Sequence, residues 1–267
     1  MPNEYDPDYH KFVNHWSKGP NILSSARYFR KVAAIGFTMT LLACSESDPS
    51  RGLIHDPYES ANRKMHETNK AIDTAILRPT AGLYAQAVPA GVRTMVGNFS
   101  GNLSEPRYAV NNLLQGDIPG FIGSVGRFAL NSTLGIGGLA DPAAELGLYP
   151  DPANFGQTMG SWGVSEGAYV ELPLLGPSSE RDTAGRIVDL IFDPVNTFAR
   201  KPETNIFTAA KTLDVLGTRH DFDAAVNSVL YESEDSYALA RLLYLQSVRG
   251  ATGGATALED LEDPYAE

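Results

Sequence analysis

The sequence predicts an all-α fold, a single helical domain with short irregular or extended segments. Three observations lead to this prediction. Apolar residues recur at helical spacing through most of the chain. Proline and glycine separate these runs, as they do between helices. Only one run, from Tyr169 to Leu175, has the pattern of an extended segment.

The N-terminal part has the pattern of an export signal and is excluded from the fold. Residues 27–43 begin with three basic side chains and continue as the apolar run VAAIGFTMTLLA. A secretory signal peptide has such an apolar region of about 7–15 residues. This run is too short to span a bilayer, which takes about 20 residues. Residues 1–26 form an N-terminal extension that is long for a signal, and an upstream start-codon assignment explains it.

Cys44 is the only cysteine in the sequence and follows Leu41, Leu42 and Ala43. The order L-L-A-C resembles the lipobox of bacterial lipoproteins. That resemblance implies cleavage before Cys44 and acylation of its sulfur and its new amino group. The alternative is a buried, inert thiol, which is the usual state of a lone cysteine among apolar residues. The polar residues that follow favour a flexible tether over residues 44–55.

The helical domain is predicted to span residues 56–249, and its first helix begins near Asp56. Asp56 is suited to the N-cap and Pro57 to the first turn. Apolar residues then recur at near-helical spacing until Arg78-Pro79, where we expect the helix to end because proline restricts the residue before it.

A second and a third helix are predicted between residues 89 and 116. The second begins at Pro89 and carries an apolar stripe at positions i, i+3, i+4, i+7 and i+11. The third begins at Ser104 and ends before Gly116, where glycine interrupts the pattern. The stripe consists of Val92, Met95, Val96, Phe99 and Leu103.

The fourth predicted helix begins at Asp117 and is apolar on nearly all sides. Such a helix is either buried in a core or in contact with lipid, and the sequence leaves both open. Gly120, Gly123 and Gly126 recur every third residue, although glycine costs about 1 kcal/mol relative to alanine in a helix. Small residues in one stripe allow another backbone to approach closely. The candidates for lipid contact are Phe121, Ile122, Gly123 and Gly126.

The C-terminal half alternates irregular and helical segments. Residues 135–178 are rich in glycine and proline and are predicted to be mostly irregular. Ser179 is suited to begin a helix that Pro194 ends. The tail, residues 250–267, is acidic and predicted to be disordered. Further helices are predicted at 203–231 and 235–249.

The charge balance argues against nucleic acid as a partner. The chain has 21 basic and 32 acidic residues. Residues 1–43 contain five of the basic and three of the acidic ones, which leaves 16 against 29 and a net charge of −13. Nucleic-acid binding depends on basic side chains that neutralise phosphates. Docking on anionic lipid headgroups has the same requirement, so any membrane contact is expected to be apolar or covalent.

The motifs that carry enzyme chemistry are missing or incomplete. Residues 135–140 match G-x-G-x-x-A by letter, but the dinucleotide fingerprint needs a preceding strand. Ser124 lacks the first glycine of a nucleophile elbow. The histidines His55, His66 and His220 have no metal-ligand spacing. We therefore expect no enzyme, no metal and no cofactor.

From Asp56 onward, the chain resembles the MlaA (VacJ) family of outer-membrane lipoproteins. The resemblance covers most of residues 56–246 in family order, and its most specific part is GNLSEP near LLQGD, followed by LPLLGPS. The matching blocks are DPYESANRKMHETNKAID (56–73), RPTAGLYAQAVPAGVR (78–93), NFSGNLSEPRYAVNNLLQGD (98–117), RFALNSTLGIGGLADPA (127–143), FGQTMGSWGVSEGAYVELPLLGPSSERD (155–182) and SYALARLLYLQ (236–246).

The resemblance implies a ring- or donut-like helical body in the inner leaflet of the outer membrane, with an amphipathic pore. It implies association with trimeric porins, removal of phospholipids from the outer leaflet and their transfer to a periplasmic carrier. Ser45 in place of aspartate implies sorting to the outer membrane. Two alternatives stay open, a lipid-anchored structural partner of porins that moves no lipid and, less favoured, a periplasmic phospholipid hydrolase.

A lipid path needs polar groups for the headgroup, because burying an ion without partners costs many kcal/mol. Ordinary capping and helix packing are the alternative role of such residues in this chain. The polar pore candidates are Asn62, Asn69, Asn102, Asn111, Asn112 and Arg127.

Overall fold

A computed structural model describes residues 54–195 and 203–251 of the chain. The predicted signal peptide, the lipobox with Cys44 and nearly all of the acidic tail lie outside the described residues. The described part is predominantly helical with one short hairpin, which confirms the all-α prediction. None of the described helices combines the length and the apolar character needed to cross a membrane.

The N-terminal half consists of long helices, two of which continue one another through a π-helical turn at Asp73–Leu77. Helix α4 begins at Asp117, as predicted, because the Asp117 carboxylate accepts a hydrogen bond of 3.0 Å from the Gly120 amide. The helices are α1 (Glu59–Ile72), α2 (Arg78–Ala87), α3 (Ala90–Gln115) and α4 (Ile118–Thr133).

The C-terminal half contains shorter helices around an antiparallel hairpin, in which Tyr169 pairs with Ser179 and Leu172 with Gly176. A second π-helical turn lies at Ser228–Glu232. The elements are α5 (Pro142–Glu145), α6 (Phe155–Ser161), β1 (Tyr169–Leu172), β2 (Gly176–Ser179), α7 (Glu180–Phe192), α8 (Glu203–Asp221), α9 (Asp223–Asn227) and α10 (Ser236–Ala251).

Two predictions about the first helix are wrong. Tyr58, not Asp56, is the N-cap residue, and no side chain caps the helix. The Asp56 carboxylate instead accepts hydrogen bonds from Asn62 (2.9 Å) and from two α10 side chains, Tyr237 and Arg241. The helical path also continues past Arg78-Pro79, because Pro79 lies at the start of α2, where its missing N–H is not needed.

The predicted third helix is also wrong, because α3 runs without a break from Ala90 to Gln115 with Pro106 inside it. Proline in a helix interior costs about 3 kcal/mol or more. Leu103 and Glu105, next to Pro106, are buried, and packing there offsets this cost. Helix α3 ends at Gly116, whose φ of 79° is the left-handed conformation that glycine adopts readily.

The interior of the described part is unusually polar. Its buried apolar residues are mostly alanines, and buried polar or charged residues outnumber them by 20 to 12. Buried polar groups are tolerated only when they are hydrogen-bonded. The fold therefore depends on internal polar networks as much as on apolar packing.

Candidate lipid-contact surface and polar interior

Helix α4 buries polar residues and exposes apolar ones, which is the reverse of a typical helix in a soluble protein. Its buried residues include Ser124, Arg127 and Asn131, which lie on one face at a spacing of three and four. The opposite face, which we call the α4 apolar face, exposes large apolar side chains. These are Ile118, Ile122, Val125 and Phe128, with Ile122 63% exposed.

The same inversion occurs in α7 and α3. In α7, the buried residues Arg181, Gly185 and Asp189 lie opposite exposed Ile187 and Leu190. In α3, the residues of the predicted apolar stripe divide, because Leu103 is buried whereas Val92 and Met95 are about half exposed. Large exposed apolar areas mark a protein or membrane contact. Exposed apolar residues and buried polar ones in three helices are the arrangement expected of a protein in apolar surroundings.

The lipid-contact candidates lie partly on this surface. Ile122 is exposed, and Phe121 is half-buried. Within the described part of the chain, no second backbone approaches α4 at Gly123 or Gly126, contrary to the expectation from the glycine spacing. Among these residues, a Cβ at Gly123 would meet no atom within 4 Å, and one at Gly126 only a Leu148 methyl group at 3.7 Å.

Gly120 is the glycine of α4 that the packing requires. A Cβ at Gly120 would lie 2.4 Å from the Asp117 carboxylate, 2.7 Å from that of Asp151 and 2.8 Å from the Asn112 amide. Asn112, one of the pore candidates, donates a hydrogen bond of 3.4 Å to the Asp151 carbonyl. The close approach at Gly120 is therefore one of polar side chains that tie the α3–α4 turn to the loop before α6.

Arg127 is the centre of a buried network that joins α3, α4 and the start of α5. Its Nε donates to Glu105 Oε1 at 2.5 Å, and its Nη2 donates to Asp141 Oδ2 at 3.0 Å. The third donor, Nη1, binds the Leu148 carbonyl at 2.5 Å. Asn131 donates to the other oxygen of Asp141 at 2.9 Å. The guanidinium is thus satisfied by two carboxylates and a carbonyl.

The carboxyl groups of this network have pKa values shifted in opposite directions. Burial raises the pKa of Glu105, which is 1% exposed, above its ordinary value, although the hydrogen bond from Arg127 acts in the other direction. Burial also raises the pKa of Asp141, but hydrogen bonds from Arg127 and Asn131 outweigh it and lower the pKa overall. Loss of Arg127 is therefore more costly at Glu105, the less exposed carboxylate, than at Asp141.

A second buried network joins α3 to α6 and α7. The Asn111 amide donates to Asp189 Oδ1 at 3.1 Å and accepts from the Thr158 hydroxyl at 2.9 Å. The other oxygen of Asp189 accepts from the Phe155 amide at 3.1 Å. Asn111 is 2% exposed, so its polar atoms act in packing between helices.

Asn62 and Asn69 of α1 complete the free edge of strand β1. Asn62 donates to the Tyr169 carbonyl at 3.0 Å and accepts from the Glu171 amide at 3.0 Å. Asn69 donates to the Leu172 carbonyl at 2.9 Å and accepts from the Leu174 amide at 2.8 Å. The two side chains thus take the place of a neighbouring strand.

A chain of buried side chains around His66 resembles a serine–histidine–acid arrangement in its connectivity. His66 Nε2 lies 3.0 Å from Ser236 Oγ, and its Nδ1 lies 3.3 Å from Glu171 Oε1. Lys70 Nζ also binds Ser236 Oγ, at 3.2 Å. Ser236 and His66 are both buried. The network ties α1, the hairpin and α10 together within the core.

Asn102 is the last of the six polar pore candidates. Its amide donates to Ser132 Oγ at 3.0 Å and packs against Gly138, where a Cβ would lie 2.7 Å away. Each candidate therefore makes hydrogen bonds within the described part of the chain. This arrangement supports helix packing as their role, and pore lining stays a prediction.

Comparison with known proteins gives a consistent result. The family model described as MlaA lipoprotein matches residues 54–250. The chain is 34% identical over 238 residues to proteins of Shigella flexneri and Escherichia coli K12, each named intermembrane phospholipid transport system lipoprotein MlaA. In both cases the match covers 88% of this chain and 92% of the relative.

The chain belongs to the MlaA lipoprotein family. A solved structure described as the structural basis for maintenance of bacterial outer membrane lipid asymmetry is similar in fold, with a TM-score of 0.62 and 32% identity. The similarity covers 74% of this chain and 98% of the other. Membership of the MlaA family agrees with the helical fold and with the apolar exterior.

Sequence reasoning missed the acidic partners in this MlaA-family chain, above all Glu105, Asp141 and Asp189. Each lies in or next to a helix whose apolar residues dominated the pattern. A signal was present, because Ser124, Arg127 and Asn131 share one face of an otherwise apolar helix. An arginine on such a face needs a carboxylate partner wherever it is buried, and that requirement points to the missing acids.

Proposed function

We propose that the protein is an outer-membrane lipoprotein of the intermembrane phospholipid transport system. It removes phospholipids from the outer leaflet and passes them to a periplasmic carrier, and so maintains lipid asymmetry. The observation that supports this most is the inversion of α3, α4 and α7, with apolar side chains outside and charged ones inside. The names of the MlaA relatives indicate the same process.

The membrane attachment in this proposal has two parts. Acyl chains on Cys44 anchor the chain, and the α4 apolar face places the helical body in the periplasm-facing inner leaflet. The chain from Cys44 onward, with a net charge of −13, gains little from electrostatic attraction to anionic lipids. Trimeric porins are the proposed lateral partners. Lipid movement requires no bond to be made or broken, which agrees with the expectation of no enzyme activity.

Deletion of the gene tests the proposal. We expect phospholipid to accumulate in the outer leaflet of the deletion strain, measured by outer-leaflet lipid labelling, and to return to the parental level when the gene is restored. The alternative function, bracing of porins, predicts a loss of porin trimers with normal lipid asymmetry. Measuring porin trimers in the same strains separates the two. An unchanged outer leaflet in the deletion strain would contradict the proposal.

A further inference from the structure

A groove of about 580 Å³ lies along α2 and the π-helical turn before it. Its lining among the described residues belongs to one continuous helical run, so the groove is shallow and open to solvent. One end is polar and the other contains an exposed leucine. The lining residues are Thr74, Arg78, Pro79, Gly82, Leu83 and Gln86, and we call it the Arg78 groove.

The guanidinium of Arg78 brings unfilled hydrogen-bond donors to this groove. Among the described residues, none accepts a hydrogen bond from it. The nearest carboxylate oxygen, on Asp223, is 4.0 Å away. That same oxygen is already bound by Arg219 at 2.7 Å, and the other oxygen of Asp223 by Asn227 at 2.9 Å. Arg78 is half exposed, so its donors are available to a ligand.

The backbone that carries Arg78 is fixed by a buried cluster. Arg219 donates to both oxygens of Asp73, at 2.7 and 2.9 Å, and Tyr231 donates to Asp73 at 2.8 Å. Asp73 begins the π-helical turn, and π-helical turns are frequent at functional sites. The Arg78 guanidinium lies 5.5 Å from the centre of the Tyr231 ring. The cluster therefore sets the position of the cation.

The rest of the groove is open and mostly apolar, with the Gln86 amide at its far end. Leu83 is 65% exposed, and a Cβ at Gly82 would meet no atom of the described residues within 4 Å. Gly82 thus leaves the floor of the groove empty between the arginine and Gln86. A ligand that fills both ends must combine an anionic group with an apolar chain.

We propose that the Arg78 groove binds the phosphodiester of a phospholipid, with the first carbons of its acyl chains against Leu83. This inference rests on the proposed function and names a contact for its substrate. Arginine matches phosphate through two parallel N–H donors. The Arg78 donors that no described residue accepts are free to make such a contact, with the Asp223 carboxylate 4.0 Å away.

Photo-crosslinking tests the groove directly. The full acylated chain is purified in detergent and illuminated with a phosphatidylglycerol that carries a diazirine near one acyl carbonyl. Mass spectrometry then measures labelling of the peptide that contains residues 74–86. We expect Arg78→Gln to lower this labelling about ten-fold, because a charge-assisted contact is lost, and Arg78→Lys to keep most of it.

Gly82→Leu is a second variant, and it tests the shape of the groove. A Cβ at this position meets no atom of the described residues within 4 Å. The larger side chain is therefore expected to occupy the groove without disturbing the helix packing, and we expect an equal loss of labelling. The matched controls are Arg186→Gln, at an exposed arginine of α7, and Gly101→Leu, at an equally open glycine of α3. Both controls should label like the parent chain.

The outcomes separate this inference from the proposed function. Unchanged labelling in Arg78→Gln and Gly82→Leu would overturn the groove, even if lipid asymmetry in cells depends on the protein. The inference would also be wrong if excess inorganic phosphate competes with the labelling as effectively as unlabelled phospholipid does, because the site would then recognise a free anion. If labelling depends on Arg78 but deletion of the gene leaves the outer leaflet unchanged, the result refutes the transport function and leaves the binding groove standing.

Discussion

Replacement of Ile122 by lysine tests membrane binding separately from folding. Complete burial of an isoleucine in an apolar medium is worth about 1.5–3 kcal/mol. Ile122 is 63% exposed, so its exposed part contributes roughly 1–2 kcal/mol to lipid contact. A lysine facing lipid costs a further ~2–4 kcal/mol at the middle of the bilayer and less near its surface. At the middle of the bilayer, the two costs together lower membrane partitioning by about a hundred-fold or more.

The assay is flotation, with phospholipid vesicles, of a chain that begins at Glu46 and therefore lacks Cys44. We expect Ile122→Lys to stay unbound while its unfolding midpoint in detergent changes by no more than about 0.5 kcal/mol, as for a surface substitution. Thr68→Lys, at an exposed polar position of α1, is the control and should float with the parent. A folded Ile122→Lys that floats equally well would refute lipid contact through the α4 apolar face.

Two further predictions concern the buried charges. Arg127→Met leaves Glu105 and Asp141 without their cation and should lower the free energy of unfolding, measured in denaturant, by about 3–5 kcal/mol. The control Arg186→Met, at an exposed arginine, should change this free energy little. Equal unfolding midpoints for the two variants would contradict the role of the network. Burial raises the pKa of Asp73, but hydrogen bonds from Arg219 and Tyr231 lower it overall, below its ordinary 3.8. Stability from this pair is therefore present above about pH 4 and is lost as the pH falls through the lowered pKa. Asp73→Asn should reduce this acid-dependent loss in unfolding measured from pH 6 to pH 2, and an unchanged pH profile would argue against it.

The helices were largely predictable because each depends on local signals. Asp117 and Ser179 cap α4 and α7 as their sequences indicate. Asp56 failed as a cap because partners more than 180 residues away bind its carboxylate. Local pattern cannot detect such partners, and it placed the start of a new helix at Ser104, next to Pro106, where packing keeps α3 continuous.

The direction in which α4 faces was not predictable from its own residues. The sequence shows that Ile122 and Arg127 lie on different faces, but it does not state which face meets the interior. That choice depends on the surroundings of the folded chain, since water favours Arg127 outside and lipid favours Ile122 outside. The acids that partner Arg127, Glu105 in α3 and Asp141 just before α5, lie outside α4, and they determine which face of α4 is buried.

The completion of strand β1 by Asn62 and Asn69 has a consequence for the order of assembly. These bonds join residues that lie 102 to 109 positions apart in the chain. A lone two-stranded hairpin is marginal in water, and an uncovered strand edge invites pairing with another chain. Neither α1 nor the hairpin can reach its final state until both have emerged from synthesis or export. Helix α1 therefore cannot complete its contacts before the hairpin has been made. A nascent chain stopped before residue 172 exposes the side-chain amides of Asn62 and Asn69 without their complete set of strand partners.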